Sequence, residues 1–115
     1  MVFQAGAALL DACVLSALRH EDAYGYVLTQ TLMSTLEISE STLYPVLRRL
    51  QKDALLSTYD RPHMGRNRRY YRITDEGLAQ ADVYRAAWQE YKGRIDSLIL
   101  SESSVIADGK GGRQA

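Results

Sequence analysis

Apolar residues recur at helical spacing in the first third of the chain and predict two helices. The first covers residues 6–20, and the second covers residues 23–35 with Asp22 as its N-cap. The buried face of the first is expected to hold Leu9, Leu10, Cys13, Val14, Ala17 and Leu18. That of the second is expected to hold Tyr26 or Val27, Leu28, Thr31 and Leu32. Each helix thus offers one face to a shared core.

A third helix is predicted between Ser39 and Asp53, and it is clearly amphipathic. Ser39 suits the N-cap, and Glu40 is favourable beside the positive end of the helix dipole. The apolar face consists of Leu43, Val46, Leu47 and Leu50, at positions i, i+3, i+4 and i+7. The opposite face carries Ser41, Pro45, Arg48 and Lys52, with Tyr44 at the border. One face of this helix is therefore expected in the core and the other in solvent.

A β-hairpin is predicted to follow. Residues 55–61 and 68–73 are rich in Tyr, Thr and Ile, as strands are, and residues 62–67 contain the Pro and Gly of a turn. Two strands alone are only marginally stable, so the hairpin is expected to pack on the helices.

The last predicted element is a long helix that Thr74 caps and that runs to about residue 100. A heptad seam consists of Ala81, Tyr84, Trp88, Tyr91, Ile95 and Leu98. Such a helix is about 39 Å long at 1.5 Å per residue, too long to be buried by so small a domain. The seam is therefore predicted to meet a second chain, although an intrachain core stripe is the alternative. The polar, Gly-rich residues 101–115 are predicted to be a disordered tail.

Composition indicates one soluble, cytoplasmic domain. The chain has 115 residues, 46% of them hydrophobic and 24% charged. No apolar run approaches the ~20 residues of a membrane span, and no signal peptide is expected. The single cysteine, Cys13, is interpreted as core filler. No catalytic arrangement, phosphate loop or metal-ligand spacing is found, so we expect no enzyme activity, no cofactor and no metal site.

The charge distribution is uneven although the net charge is zero. Residues 48–72 contain eight basic and two acidic groups, a net charge of +6, and the rest of the chain carries −6. A basic helix beside a basic hairpin can reach the major groove and the phosphates of duplex DNA together, which indicates a DNA-binding module. A solvated charged surface is the alternative.

Three motifs resemble those of the PadR family of bacterial transcriptional regulators. They are Ala23-Tyr-Gly-Tyr26, Glu40-Ser-Thr-Leu-Tyr-Pro-Val-Leu-Arg-Arg-Leu-Gln-Lys-Asp53 and Arg68-Arg-Tyr-Tyr-Arg-Ile-Thr-Asp-Glu-Gly77. The resemblance covers about residues 6–100. The chain is similar to the small PadR-like subgroup, some of whose members sense planar aromatic drugs. It implies an α+β, mainly helical fold: a winged helix-turn-helix over residues 1–74 and a C-terminal dimerisation helix over residues 75–100.

The resemblance also implies roles for individual residues in a homodimeric repressor. The DNA-binding set comprises Ser39, Ser41, Thr42, Tyr44, Arg48 and Lys52 on the recognition helix and His63, Arg66, Asn67 and Arg68 on the wing. Trp88 lies at the spacing of the family's pore tryptophan. It would bind a planar aromatic ligand with Leu10, Asp11, Val14, Tyr84 and Arg85. Ligand binding would release double-stranded operator DNA. The dimer interface would be the heptad seam described above.

Departures from the family pattern and alternative functions stay open at this point. Ala54 stands where members often carry Gly, and the turn around Met64 lacks the usual Gly-Gly pair. Trp88 can equally be a dimer-core aromatic, which gives a DNA-binding regulator without a ligand. A MarR- or ArsR-like winged helix is less favoured by the Thr-Leu-Tyr-Pro motif. A protein-interaction module acting through the long helix would leave the Arg-rich hairpin unexplained.

Overall fold

The computed structural model describes residues 7–106, which form four helices and a small antiparallel sheet. The elements are α1 (Ala7–Ala17), β1 (Ala23–Tyr24), α2 (Gly25–Leu36), α3 (Glu40–Lys52), β2 (Leu56–His63), β3 (Arg66–Ile73) and α4 (Asp75–Ile99). This confirms the predicted α+β, mainly helical winged-helix fold. Within the described residues no helix combines the length and apolarity that crossing a bilayer requires. The predicted tail 101–115 lies outside them from residue 107 onward.

The amphipathic helix α3 follows its sequence closely. The Ser39 side chain accepts a hydrogen bond from the backbone N–H of Thr42 at 3.3 Å, as an N-cap does. The four predicted apolar residues, Leu43, Val46, Leu47 and Leu50, are all buried. They pack with α1, α2 and the sheet in one core. The remaining face of α3 is thereby left toward solvent.

The end of α3 keeps a glycine-type turn without a glycine. The backbone N–H of Leu55 donates to the Leu50 carbonyl at 2.9 Å, and that of Ala54 donates to Gln51 at 3.1 Å. These two bonds define a Schellman motif. Ala54 accordingly adopts a left-handed φ of 61°. Ala54 therefore keeps the turn that Gly often forms at this position in the family, at some cost in backbone strain.

Parts of the helix predictions were wrong. In α1 the buried face includes Asp11, Ala12 and Leu15, whereas Ala17 is exposed. In α2 the buried positions are Gly25, Leu28, Thr29 and Leu32, while Tyr26, Val27 and Thr31 are exposed. Tyr24, not Asp22, is the N-cap residue. The N-cap differs because β1 occupies residues 23 and 24, so α2 begins two residues later than predicted.

The three strands are ordered β1-β3-β2, and the turn between β2 and β3 is shorter than predicted. Only Met64 and Gly65 form it, with φ values of 51° and 81°. Positive φ at both central residues is typical of a type I′ hairpin turn. Pro62 and Asn67, predicted in the turn, instead pair across the ladder. We call β2, the turn and β3 the wing, and residues 60–67 its tip.

The first half of α4 packs on the core and the second half projects from it. Gly77 and Ala81 are buried, and Tyr84 packs against the core cluster. Ala81 lies within the core cluster and has no exposed surface, so its predicted place in a dimer interface is wrong. Further along, Leu98, Ile99 and Leu100 are 64–73% exposed. The longest dimension of the described residues is 70 Å, against 26 and 21 Å for the others.

Candidate nucleic-acid interface

The exposed face of α3 presents hydroxyl groups at its N-terminus and cations further along. Ser41, Thr42, Tyr44, Arg48 and Lys52 are all exposed. The Ser39 hydroxyl lies 2.9 Å from that of Ser41 and 3.2 Å from that of Thr42. A helix N-terminus with hydroxyl groups suits a phosphate, and an arginine about two turns further along the helix suits a base edge. The residues predicted for the recognition helix thus share one face.

The wing carries the other predicted residues: His63, Arg66 and Asn67 at its tip, and Arg68 just behind the tip, where it is half-buried. Every residue from 60 to 67 is exposed. His63 and Arg66 are directly opposite each other, immediately behind the turn, and Arg61 and Arg68 form the next but one pair. Side chains of paired residues lie on the same face of a sheet, so these four side chains form one row, which contains three arginine cations. Asn67 points to the opposite face, beside Pro62.

Only part of the basic segment is available to a partner. Arg49, Arg69 and Arg72 form ion pairs with Asp11, Asp60 and Asp22. The other five basic residues of segment 48–72 have no ion pair within residues 7–106: Arg48, Lys52, Arg61, Arg66 and Arg68. Two of these five lie on α3 and three lie on the wing. The uncompensated charge is therefore concentrated on two adjacent elements.

Arg49 fixes α3 to α1, a role that the sequence analysis missed. Its guanidinium donates two hydrogen bonds to the Asp11 carboxylate, at 2.9 and 2.7 Å. Hydrogen bonding to Asp11 is the main cause that raises the pKa of Arg49. Asp11 is almost fully buried. The signal in the sequence was an acidic residue next to the apolar face of the first helix, because a buried carboxylate needs a cationic partner.

Tyrosines on the outer face of the sheet hold several wing arginines in place. Tyr24, Tyr70 and Tyr59 form a row across the three strands, with ring centroids 5.9 and 5.5 Å apart. The guanidiniums of Arg68, Arg61 and Arg72 each lie over one of these rings, at 4.4, 5.1 and 4.9 Å. We call this set the tyrosine–arginine ladder.

Asp22 secures the base of the ladder. Its carboxylate accepts hydrogen bonds from the Tyr59 hydroxyl at 2.6 Å and from the Arg72 guanidinium at 3.3 Å. The hydrogen bond to Asp22 is the main cause that raises the pKa of Tyr59. The residue predicted to cap α2 therefore connects the loop before β1 to the wing.

Residues 14–83 match the sequence profile of the transcriptional regulator PadR-like family. The chain belongs to this family. It is 35% identical over 92 residues to an uncharacterised protein of Lysinibacillus sphaericus, covering 76% of this chain and 84% of that protein. It is also 41% identical over 70 residues to a transcriptional regulator of Mycobacterium tuberculosis, covering 60% of this chain and 65% of that protein.

Solved structures agree with the assignment to the PadR-like family. A crystal structure from Streptococcus mutans superposes with a TM-score of 0.76 at 36% identity, covering 90% of this chain and 98% of that one. A PadR-like transcriptional regulator from Bacillus cereus gives 0.73 at 32% identity, covering 83% and 95%. The family is one of transcriptional regulators rather than enzymes, and the protein is a DNA-binding transcriptional regulator.

The PadR-like chain also contains an apolar cavity of about 650 Å³ between α1, α2 and α4. Among its lining residues are Leu10, Tyr84, Arg85 and Trp88, four of the six predicted to bind a ligand. The structure places Asp11 in the ion pair with Arg49 and Val14 in the core, away from the lining. Residues that the prediction did not include complete the lining: Leu9, Ala12, Cys13, Ser16, Arg19, His20, Leu36 and Ile38.

Cys13 lies in the lining of this cavity but lacks the features of a reactive thiol. Burial raises the pKa of its thiol above the usual value, which lowers the thiolate fraction at neutral pH. No cluster of His, Cys, Asp or Glu suited to a metal ion occurs among the described residues. The cavity is lined mainly by apolar side chains with a few polar groups, a composition that small-molecule sites commonly have.

Proposed function

We propose that the protein is a homodimeric repressor that binds double-stranded operator DNA and releases it when a planar aromatic ligand binds. Each subunit would place α3 in the major groove, with Arg48 reaching a base edge or phosphate and the wing contacting the adjacent backbone. The two recognition helices would enter successive major grooves about one helical turn apart. The observation that carries this proposal is the set of five cations on α3 and the wing that lack an ion pair among the described residues.

Fluorescence anisotropy on duplex DNA from upstream of the protein's own gene tests the DNA-binding part. A scrambled duplex of the same length is the control, and both are titrated at two salt concentrations. We expect selective binding to the native duplex and a steep loss of affinity with salt, because cations at phosphates release counterions. Equal affinity for both duplexes would contradict sequence-specific recognition at this site.

Arg66→Ala is expected to weaken binding to native and scrambled duplexes by a similar factor. Arg66 is exposed behind the wing turn and forms no ion pair within the described residues, which suits a phosphate contact. Losing one such contact should reduce the slope of log affinity against log salt by about one. Arg94→Ala removes the same charge from α4, where Arg94 pairs with Glu90, and should leave the slope unchanged. A loss confined to the native duplex would indicate base readout instead.

The apolar surface on the projecting half of α4 is the observation that favours a dimer. Tyr91 and Ile95 are half-buried and Leu98 is exposed, so the seam positions beyond the core retain apolar surface. Ile99 and Leu100 add further exposed apolar surface at the same end of the helix. Covering such a surface with a second copy would remove it from water. The dimer interface proposed here is therefore Tyr84, Trp88, Tyr91, Ile95 and Leu98, without Ala81.

The cavity supports the ligand part of the proposal. Trp88 is 40% exposed and lies both at its edge and on the seam. Two copies facing each other across a twofold axis could sandwich a flat molecule by stacking. A ligand can release DNA only if it binds one arrangement of the two α4 helices better than the arrangement that fits the grooves. Trp88 would thus connect ligand binding to the spacing of the recognition helices.

Trp88→Ala is expected to weaken aromatic-ligand binding and, with it, ligand-induced release of DNA. Removing the indole deletes the stacking surface and should weaken binding of a planar ligand by at least about ten-fold. Ligand affinity is measured by titration calorimetry and release by anisotropy on the operator duplex. Trp88→Phe keeps an aromatic ring and is the matched control, and sedimentation checks that both variants remain dimers. If Trp88→Ala changes neither ligand affinity nor release, the proposed ligand site is wrong.

A further inference from the structure

We propose that Met64 at the wing tip is a minor-groove wedge, whose side chain inserts between base pairs beside the half-site that α3 contacts and kinks the DNA there. The inference rests on the proposed function, because the wedge acts on the duplex that α3 binds. Met64 would thus deform the DNA, whereas the other residues of the proposed interface would contact phosphates or base edges.

The position of Met64 is the first observation. The side chain is 91% exposed, the highest value among the exposed large hydrophobic residues of the described chain. All residues of the tip are exposed, including the last four of β2. At about 3.3 Å per residue this exposed end of β2 is roughly 13 Å long. A large apolar side chain stands at the end of a projecting hairpin, where nothing in the described chain covers it.

The backbone at the turn is the second observation. Met64 has a φ of 51°, which a residue with a β-carbon adopts at a cost, and Asn or Gly is the usual residue at this position of a type I′ turn. A two-residue turn is also the narrowest way to join two strands. Met64 therefore stands at the end of the narrow part of the wing, where its side chain can reach a groove ahead of both strands. A strained backbone that carries an exposed apolar side chain favours a role for that side chain.

The charges behind the turn match a groove bordered by phosphates. His63 and Arg66 form the first cross-strand pair behind Met64, on the same face of the wing as Arg61 and Arg68. None of these three arginines has an ion pair within the described residues. Proteins that kink DNA from the minor groove combine cations at the backbone with an apolar wedge, and Met is one of the residues used. The wing has the apolar side chain of Met64 at its end and the arginines directly behind it, as such a wedge requires.

The tyrosine–arginine ladder gives the wedge a stiff support. Separating two stacked base pairs costs free energy, and a loosely held hairpin would bend away instead. Tyr24 joins the wing to β1 through its contact with Tyr70, and Asp22 fixes the other edge through the Tyr59 hydroxyl. The base of the wing is thus held at two points while its tip stays free to enter the groove.

DNA bending measured by energy transfer between dyes at the two ends of a duplex tests the proposal. The duplex is one that the wild-type protein selects from a random-sequence pool. We expect wild-type protein to bend it by an angle in the range of about 20–90° that wedge proteins produce. Met64→Asn should lose the bend and about ten-fold in affinity at sites with a flexible pyrimidine–purine step beneath the tip. Met64→Leu should retain both, and the salt slope should be equal for all three proteins because no charge changes.

Each outcome decides between the alternatives. Asn suits the left-handed φ, so Met64→Asn should fold normally, which circular dichroism checks. If this variant bends the duplex as much as wild-type protein does, or if Met64→Leu fails as completely as Met64→Asn, the wedge is wrong. If wild-type protein binds a selected duplex tightly without bending it, the wedge is also wrong but the DNA-binding function stands. If no duplex is selected, both proposals fail together.

Discussion

Gly77→Ala is expected to lower the thermal stability of the protein sharply. A β-carbon at Gly77 would lie 2.2 Å from the Leu55 carbonyl oxygen and 2.7 Å from Cγ1 of Ile73. The first contact is with backbone, so it cannot be relieved by a side-chain rotation. The start of α4 would have to move off the sheet, and we expect a loss of about 4 kcal/mol or more in the free energy of unfolding. That is a large part of the stability of so small a domain.

Gly93→Ala provides the matched control on the same helix. Apart from its chain neighbours and the adjacent helix backbone, no heavy atom of the described chain lies within 4 Å of the β-carbon that this substitution would add. Alanine in an exposed helix interior should therefore stabilise the protein by about 0.5–1 kcal/mol. Thermal unfolding followed by circular dichroism measures both variants, and we expect the melting temperature of Gly77→Ala to fall by more than about 15 °C. Equal effects at the two glycines would contradict the close packing of α4 on Leu55.

Arg48→Met is expected to weaken DNA binding, whereas Arg49→Met is expected to destabilise the fold, although the two residues are neighbours. Arg48 is exposed and has no ion pair within the described residues, so its loss should lower DNA affinity about 10–100-fold with little change in stability. Arg49→Met leaves the Asp11 carboxylate buried without its partner. Breaking a buried pair costs about 3–5 kcal/mol, and because the Arg49 side chain is 40% exposed we expect about 2–3 kcal/mol.

A double variant separates the lost pair from other effects of changing Arg49. Asp11→Leu together with Arg49→Met removes both charges, and an apolar pair can replace a buried ion pair at little cost. We therefore expect the double variant to be more stable than Arg49→Met alone in urea titrations. DNA affinity is measured by anisotropy on the same samples. If Arg49→Met leaves stability unchanged and weakens DNA binding instead, the anchoring role of Arg49 is wrong.

The sequence predicted α3 and the start of α4 well because their local signals agree with the tertiary fold. Ser39 and Thr74 cap the two helices as predicted, and the apolar face of α3 has no competing pattern. The first two helices were less predictable. The short strand β1 is created only by pairing with β3, a contact distant in sequence, and it determines where α2 begins. The narrow turn at Met64 was missed because Met is not a usual type I′ residue.

The sequence predicted which basic residues belong to the candidate site, but not which of them lack an acidic partner in the fold. The basic residues between 48 and 72 were evident, yet the sequence could not show that Asp11 and Asp22 compensate Arg49 and Arg72. Both carboxylates lie far from their partners along the chain. The cavity lining was missed in part for the same reason, because α2 contributes Leu36 and the following loop contributes Ile38. Long-range contacts decide which side chains remain free.

The separation of charge between the two adjacent basic elements and the rest of the chain gives the molecule an electric dipole. A protein of zero net charge is neither attracted nor repelled by DNA at long range, but a dipole in the field of the double helix experiences a torque. It would turn its basic side toward the DNA before contact. Its isoelectric point of about 6.7 therefore conceals an orientation preference that should make productive encounters faster than net charge alone would suggest.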